Sequence, residues 1–251
     1  STKDKKRISD LSELIYLACK EVKILKHISW SENVRVEFFK NNCNKIPVVT
    51  YPKYDDSDLI FLLKKSGILF GDTKYDVWLK NKVKDIKRSS ELLSVCGTSD
   101  FFKLSSDIYG LPSTPIHDKT TMPRDLSRQF EEIINSINSN QIMQMHSSKL
   151  SSETVAKEIS NSVDAFFGEL APKIKLVQGL SAKATASSKT IKIRENGEFD
   201  QTDVRQLLNH EAYIHVATTL NGRGQEKMKI LGSNYGSITK TQEGLAVFSE
   251  F

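Results

Sequence analysis

With 251 residues, 38% hydrophobic and 27% charged side chains, the chain has the apolar content to bury a core as one domain or two small ones, which excludes wholesale disorder. No apolar run approaches the roughly 18 residues that cross a bilayer, so no membrane partner is expected. The net charge of +5 is spread among acids without a concentrated basic patch or stacking aromatics; it reads as a solvated mixed surface and excludes nucleic acid as the expected partner.

The basic start, Ser1 to Arg7, leads into an amphipathic stretch with Asp10 and Glu13 and has no secretory apolar segment. Leu11, Leu14, Ile15, Ala18, Val22 and Leu25 recur three or four residues apart, which predicts a helix to about Ile28. A shorter helix follows over 31–39, then an extended piece between Pro47 and Pro52. Helices are predicted over 55–66 and 77–95, the second ending at Gly97, and a further one stops before Gly110. Residues 111–124 hold three of the six prolines and read as a loop. Helices near 124–137 and 152–170 come next, the latter with an apolar stripe through Val155, Ile159, Val163 and Phe167.

After Pro172 the period changes. Residues 174–177, 182–187 and 190–194 alternate like short strands, and Asn196-Gly197 marks a turn. A helix is predicted from Asp200 or Thr202 to about Leu220, an irregular loop over 221–240, and a last helix from Thr241. The three cysteines, Cys19, Cys43 and Cys96, are far apart and form no C-x-x-C pair, so a reducing, cytoplasmic setting is the default. The expected architecture is α+β: a mostly helical domain with a small antiparallel sheet next to the 200–220 helix. It divides into an N-terminal helical region, 1–115, and a catalytic region, 116–251, within one domain.

That helix holds His210-Glu211-Ala212-Tyr213-Ile214-His215, an H-E-x-x-x-H pattern with two of the five histidines. Histidines four apart lie about 40° apart around an α-helix and can reach one metal; five apart they diverge by about 140°. The pattern makes chemical sense only if the helix widens locally, for instance by a π-type bulge. With that widening, two neutral imidazoles and a carboxylate form a three-ligand Zn²⁺ site with a position open for water, and Glu211 is placed to take that water's proton. Glu243, 28 residues after His215, is the candidate third ligand, in the opening turn of the last helix with Thr241 as N-cap and Gly244 permitting close helix approach. An isolated H-E-x-x-x-H is a weak signal, since a histidine in an apolar helix is usually packed or hydrogen-bonded. His27, His117 and His146 have no partner pattern and read as structural or exposed.

The combination of H-E-A-Y-I-H, Asn221-Gly222 and T-Q-E-G-L-A at 241–246 resembles the QEGLA-motif proteins, which include bacterial proteins labelled flavohemoglobin expression-modulating and the eukaryotic microtubule-associated tyrosine carboxypeptidases. Weaker echoes lie at Phe38-Phe39, Pro47 to Tyr51, Gly97-Thr98, Asp100-Phe101 and Tyr109 to Pro112. The resemblance implies zinc on His210, His215 and Glu243, with Glu211 as base, and peptide-bond hydrolysis as the reaction. Members continue well past the QEGLA helix, which makes this chain read as a fragment. A second H-E-x-x-x-H group, that of dipeptidyl peptidase III, places its ligand glutamate in a more acidic motif not found here.

On the substrate side, residues 182–194 are placed to hold a peptide by strand addition. Lys183 and Arg223, and less so Arg194, are candidate cations for a terminal carboxylate, although each also reads as a solvated surface charge. Tyr235 is a candidate oxyanion donor or, equally, the anchor of a turn between Gly232 and Gly236. The leading expectation is a zinc metallopeptidase acting as a carboxypeptidase on a peptide or protein C-terminal tail, with oligomeric state left open. The alternative is a regulatory or interaction protein whose metal site is structural or inactive.

Overall fold

A computed structural model describes residues 2–137, 149–233 and 236–251. His146 and Tyr235, named above, lie outside the described residues. The first half is helical: α1 (Thr2–Glu21), α2 (Ile24–Ile28), α3 (Glu32–Lys40), α4 (Ser57–Leu69), α5 (Lys74–Ser94), α6 (Ser99–Tyr109) and α7 (Pro123–Ser136). Then come α8 (Ser152–Phe167) and the strands β1 (Lys173–Val177), β2 (Ala184–Ser187) and β3 (Thr190–Arg194). A long helix follows in three parts: α9 (Gln201–Leu207), a π-helical segment (Leu208–Val216) and α10 (Ala217–Arg223). A 3-10 turn (Lys229–Gly232) and α11 (Gly236–Ser249) complete the order. The fold is α+β and mostly helical, and no helix among the described residues is long and apolar enough to cross a membrane.

Two apolar cores organise these elements. In the first, Leu11, Ile15 and Ala18 of α1 pack with Leu59 and Leu63 of α4 and Leu79 and Ile86 of α5, and Ile230 of the 3-10 turn is buried among them. That turn crosses the 115/116 boundary drawn from the sequence: the Ile230 amide donates to Ser12 Oγ at 3.2 Å, and Lys229 Nζ reaches Glu13 at 2.8 Å. The second core joins Val155, Ile159 and Val163 of α8 to Ile191 and Ile193 of β3 and to Val204, Ala212 and Val216 of the long helix.

The sheet is mixed, not antiparallel as expected from the sequence. Its order is β1-β3-β2, with β3 antiparallel to β2 but parallel to β1. The tight turn at Ser188-Lys189 makes β2 and β3 a hairpin, while the longer link over 178–183 carries β2 past to the far side, so β3 enters between its neighbours. Ile191 and Ile193, 1% and 0% exposed, make β3 the strand that gains most from the central place. The consequence for the site is that β2 is an edge strand.

Two helix boundaries also differ from the sequence reading. The first helix breaks at Val22-Lys23, where Lys23 leaves helical geometry at φ −109° and ψ 70°, and it begins at Thr2, well before the apolar stripe. Those early turns are held by an ion pair. Arg7 donates to both carboxylate oxygens of Asp76 at 2.6 and 2.9 Å and to the Leu69 carbonyl at 2.8 Å. Asp76, wholly buried, also accepts from the Gly71 and Thr73 amides at 2.9 Å and caps α5 reciprocally with Thr73. One carboxylate thus ties α1, the end of α4 and the start of α5.

Those bonds, Arg7's first, hold the Asp76 carboxyl far below the usual carboxylate range against the opposing effect of burial. A folded-state carboxyl that titrates below the unfolded one, at about 3.9, contributes stability that is complete above that pH and is lost as the pH falls toward the folded value. Asp76→Asn leaves the Arg7 charge without its partner and lowers Tm at neutral pH by roughly 5–10 °C. Melting curves from pH 6 to 3 check the sign: the wild-type advantage over the variant shrinks with acid, and a constant gap would contradict it.

Candidate metal and catalytic site

The long helix starts at a reciprocal cap, Asp200 accepting from the Thr202 and Asp203 amides at 2.8 and 3.0 Å while Asp203 accepts from the Asp200 amide. Over Leu208–Val216 it takes π geometry, in which i→i+5 bonding sets residue i+5 one turn above residue i. His210 and His215 therefore stand on one face, their rings 4.9 Å apart. The apolar side shows why the extra residue is tolerated. Val204, Leu208, Ala212, Val216 and Leu220 pack on the second core and recur every four residues, a period a regular α-helix would rotate off its contact face by about 40° per step. Tyr213 further clamps the segment against Phe166 of α8, with ring centroids 4.7 Å apart.

Facing this helix, α11 presents Glu243. His210 Nε2 lies 3.5 Å from Glu243 Oε2, and His215 Nε2 lies 3.6 Å from Glu243 Oε1. One donor atom from each of the three falls within 4.8 Å of the others, so the trio could hold a metal ion. The helix that carries Glu243 starts at Gly236, five residues before the N-cap expected at Thr241, so Glu243 sits in its interior. Ile238, packed on the first core, anchors the added turn. Gly244 faces open space and not a neighbouring helix; the close approach occurs at Gly222, where a Cβ would meet the Leu231 carbonyl oxygen at 2.1 Å. That absent side chain lets the 3-10 turn cross α10.

The outer imidazole nitrogens both find acceptors on α11 or on the residue just after it. His210 Nδ1 is 2.7 Å from Glu250 Oε1, and His215 Nδ1 is 3.3 Å from Gln242 Oε1. Both contacts hold the rings with Nε2 turned toward Glu243. Glu250 follows Glu243 by seven residues, close to two α-turns, and so falls on its side of the helix, whereas Gln242, about 100° round from Glu243, reaches His215 from the flank. That seven-residue spacing is the signal by which Glu250 could have been found.

Glu211 is 8% exposed. Burial pushes its carboxyl above the usual range, opposed by the nearby His215 and His210 and reinforced by Glu243, while the Ala186 amide of β2 donates to it. It shares with the trio a cleft of about 620 Å³ that also takes in Arg223 and residues 185–188 of β2 and its turn. The other substrate-side residues are placed differently. Lys183 Nζ lies 2.6 Å from both Asp203 oxygens and does not line the cleft. Arg194 donates to the carbonyls of Ala182 and Ser181. Among the described residues, neither His27 nor His117 joins a metal-capable group.

Fold and site together define a mostly helical α+β protein with a metal-capable cleft built on a π-widened helix. A family model described as microtubule-associated tyrosine carboxypeptidase matches residues 36–251, and the chain belongs to that family. No curated protein and no solved structure matches the chain. The family is named for carboxypeptidase action, hydrolysis at the C-terminal end of a peptide or protein.

If Glu250 fixes the His210 ring, Glu250→Gln weakens divalent-metal affinity about 10- to 100-fold, read by competition with a chromophoric chelator, with metal-free melting unchanged. Equal affinities for wild type and variant would make the 2.7 Å contact incidental.

Proposed function

We propose that the chain is a zinc-dependent carboxypeptidase in which His210, His215 and Glu243 hold the metal and Glu211 is the general base. The convergence of the three donor atoms within 4.8 Å beside a buried carboxyl carries this assignment. The fit is chemical and metric: two imidazoles and a carboxylate are a common donor set for catalytic zinc, and bonds of 2.0–2.1 Å in a tetrahedron set neighbouring donors about 3.3 Å apart. The nitrogen to oxygen distances of 3.5 and 3.6 Å need only a slight contraction.

When bound, zinc supplies Lewis-acid chemistry, lowering the pKa of water and polarising a carbonyl. The chain's own residues do the rest. Glu211, oriented by the Ala186 amide, takes a proton from the attacking water at a carboxylate oxygen and delivers it to the leaving amine. Its burial raises its proton affinity, which suits a group that must both accept and release a proton near neutral pH. Edge strand β2, laddered only to β3 among the described residues, offers backbone groups to an extended peptide lying along the cleft.

The substrate under this proposal is the C-terminal tail of a peptide or protein, and the family's name points to tyrosine as the residue removed. Of the substrate-side candidates, Arg223 lines the cleft and Lys183 braces Asp203, while Tyr235, outside the described residues, keeps both its readings, oxyanion donor or anchor of a turn. Three free thiols are in keeping with a cytoplasmic setting.

Metal analysis and peptide cleavage followed by mass spectrometry test the assignment. Glu211→Gln keeps one zinc per chain and loses hydrolysis by about 10²- to 10⁴-fold, whereas His210→Ala loses the metal. A wild-type chain that stays metal-free in zinc-replete conditions overturns the proposal; a zinc-loaded chain inactive across a C-terminal peptide library favours a regulatory or interaction role.

A further inference from the structure

We infer that Arg223, braced by Ser188 and seated against Gly232, receives the terminal α-carboxylate of the peptide and fixes the cut at the last residue. This deepens the carboxypeptidase assignment and rests on it for the identity of the reacting end of the cleft.

His215, Thr219 and Arg223 all line the cleft and follow one another every four residues. The Cα of Arg223 is about 12 Å beyond that of His215 along the helix, and a helical side chain leans toward the N-terminus, back toward the metal-binding end. The guanidinium donates to Ser188 Oγ, which fixes its direction from the β2–β3 turn. Among the described residues no carboxylate pairs with it, in contrast to Arg7 with Asp76, Lys183 with Asp203 and Lys229 with Glu13. A guanidinium has five N–H donors, and its planar fork matches a carboxylate in bidentate geometry.

The surroundings are shaped for this side chain. A Cβ on Gly232 would stand 2.7 Å from Arg223 Cγ, so only glycine admits the arginine stem here. The next residue, Ser233, lines the same cleft and is 7% exposed, and among the described residues its hydroxyl has no hydrogen-bond partner beyond the Cys19 thiol. A buried hydroxyl lacking a good partner is costly unless a ligand completes it. Ser188, Gly232 and Ser233 line the cleft with Arg223 and are all buried. With its terminal carboxylate on Arg223, a peptide laid along β2 has its last residue between the guanidinium and the metal-capable trio, the placement an exopeptidase requires.

The test uses a fluorescein-labelled pentapeptide ending in tyrosine with a free carboxylate, and its twin with a C-terminal amide. Binding to the full, zinc-loaded Glu211→Gln chain, read by fluorescence anisotropy, is expected to be about 10- to 100-fold tighter for the acid. Adding Arg223→Gln brings the two affinities together, and adding Ser233→Ala narrows the gap. With the wild-type chain the amide raises KM by a similar factor, and mass spectrometry of the acid finds a single residue released. If Arg223→Gln fails to fold, Ser188→Ala, which frees the guanidinium, and the acid-to-amide ratio of the otherwise intact chain decide the matter. Equal binding of acid and amide, or a preference that survives Arg223→Gln, overturns the anchor even if both peptides are cut. A preference for the acid without any hydrolysis keeps the anchor and overturns the catalytic assignment.

Discussion

Two imidazoles five residues apart on one helix can share a ligand only if that helix takes an extra residue into its turn, and the neighbouring elements all bear on that turn. Isolated π geometry is rare because it loses the regular i→i−4 bonding. Here regular helix flanks it on both sides, the Asp200 cap fixes its start, and Ala212 and Val216 seal it against the sheet. Burial of that face against β3 and α8 offsets the poorer backbone geometry. Once the widening exists, Glu211 falls beside β2 and can take the Ala186 amide, so helix, sheet edge and cleft are set by one backbone irregularity.

The opposing wall is equally economical. Gln242 and Glu243 belong to α11 and Glu250 directly follows its last residue, so one short stretch of chain contributes a donor to the metal-capable group and a partner for each imidazole. The first turn of α11 is anchored by Ile238 in the core that α1, α4 and α5 build. The N-terminal helices, which contribute none of the four residues assigned to the metal and base, thereby support the position of Glu243. The Arg7–Asp76 pair, joining three of those helices, belongs to the same chain of support.

Much of this was legible in the residues. Helical periods located most helices to within a few positions, and H-E-x-x-x-H demanded a π-like departure that the backbone contains. The four-residue recurrence of Val204, Leu208, Ala212, Val216 and Leu220 carries the same message. What escaped was non-local. The helical turns before the apolar stripe are held through Arg7 by an acid 69 positions further along the chain, and the parallel β1–β3 pairing depends on a link long enough to cross the sheet. Lys183 and Arg223 looked alike in sequence, and only the placement of Asp203 separates them.

Concentrating three site residues on α11 and the residue just after it has a thermodynamic consequence. Seating of that helix and occupancy of the metal-capable group are linked equilibria: whatever ion the trio binds cannot be held with all three donors while α11 is undocked. A ligand at about 100 times its Kd adds roughly 2.7 kcal/mol to the state that binds it. That increment falls on the local opening of α11, so amide exchange in residues 236–249 registers metal occupancy before any global change in stability does. The C-terminal helix is in this sense a reporter of its own site.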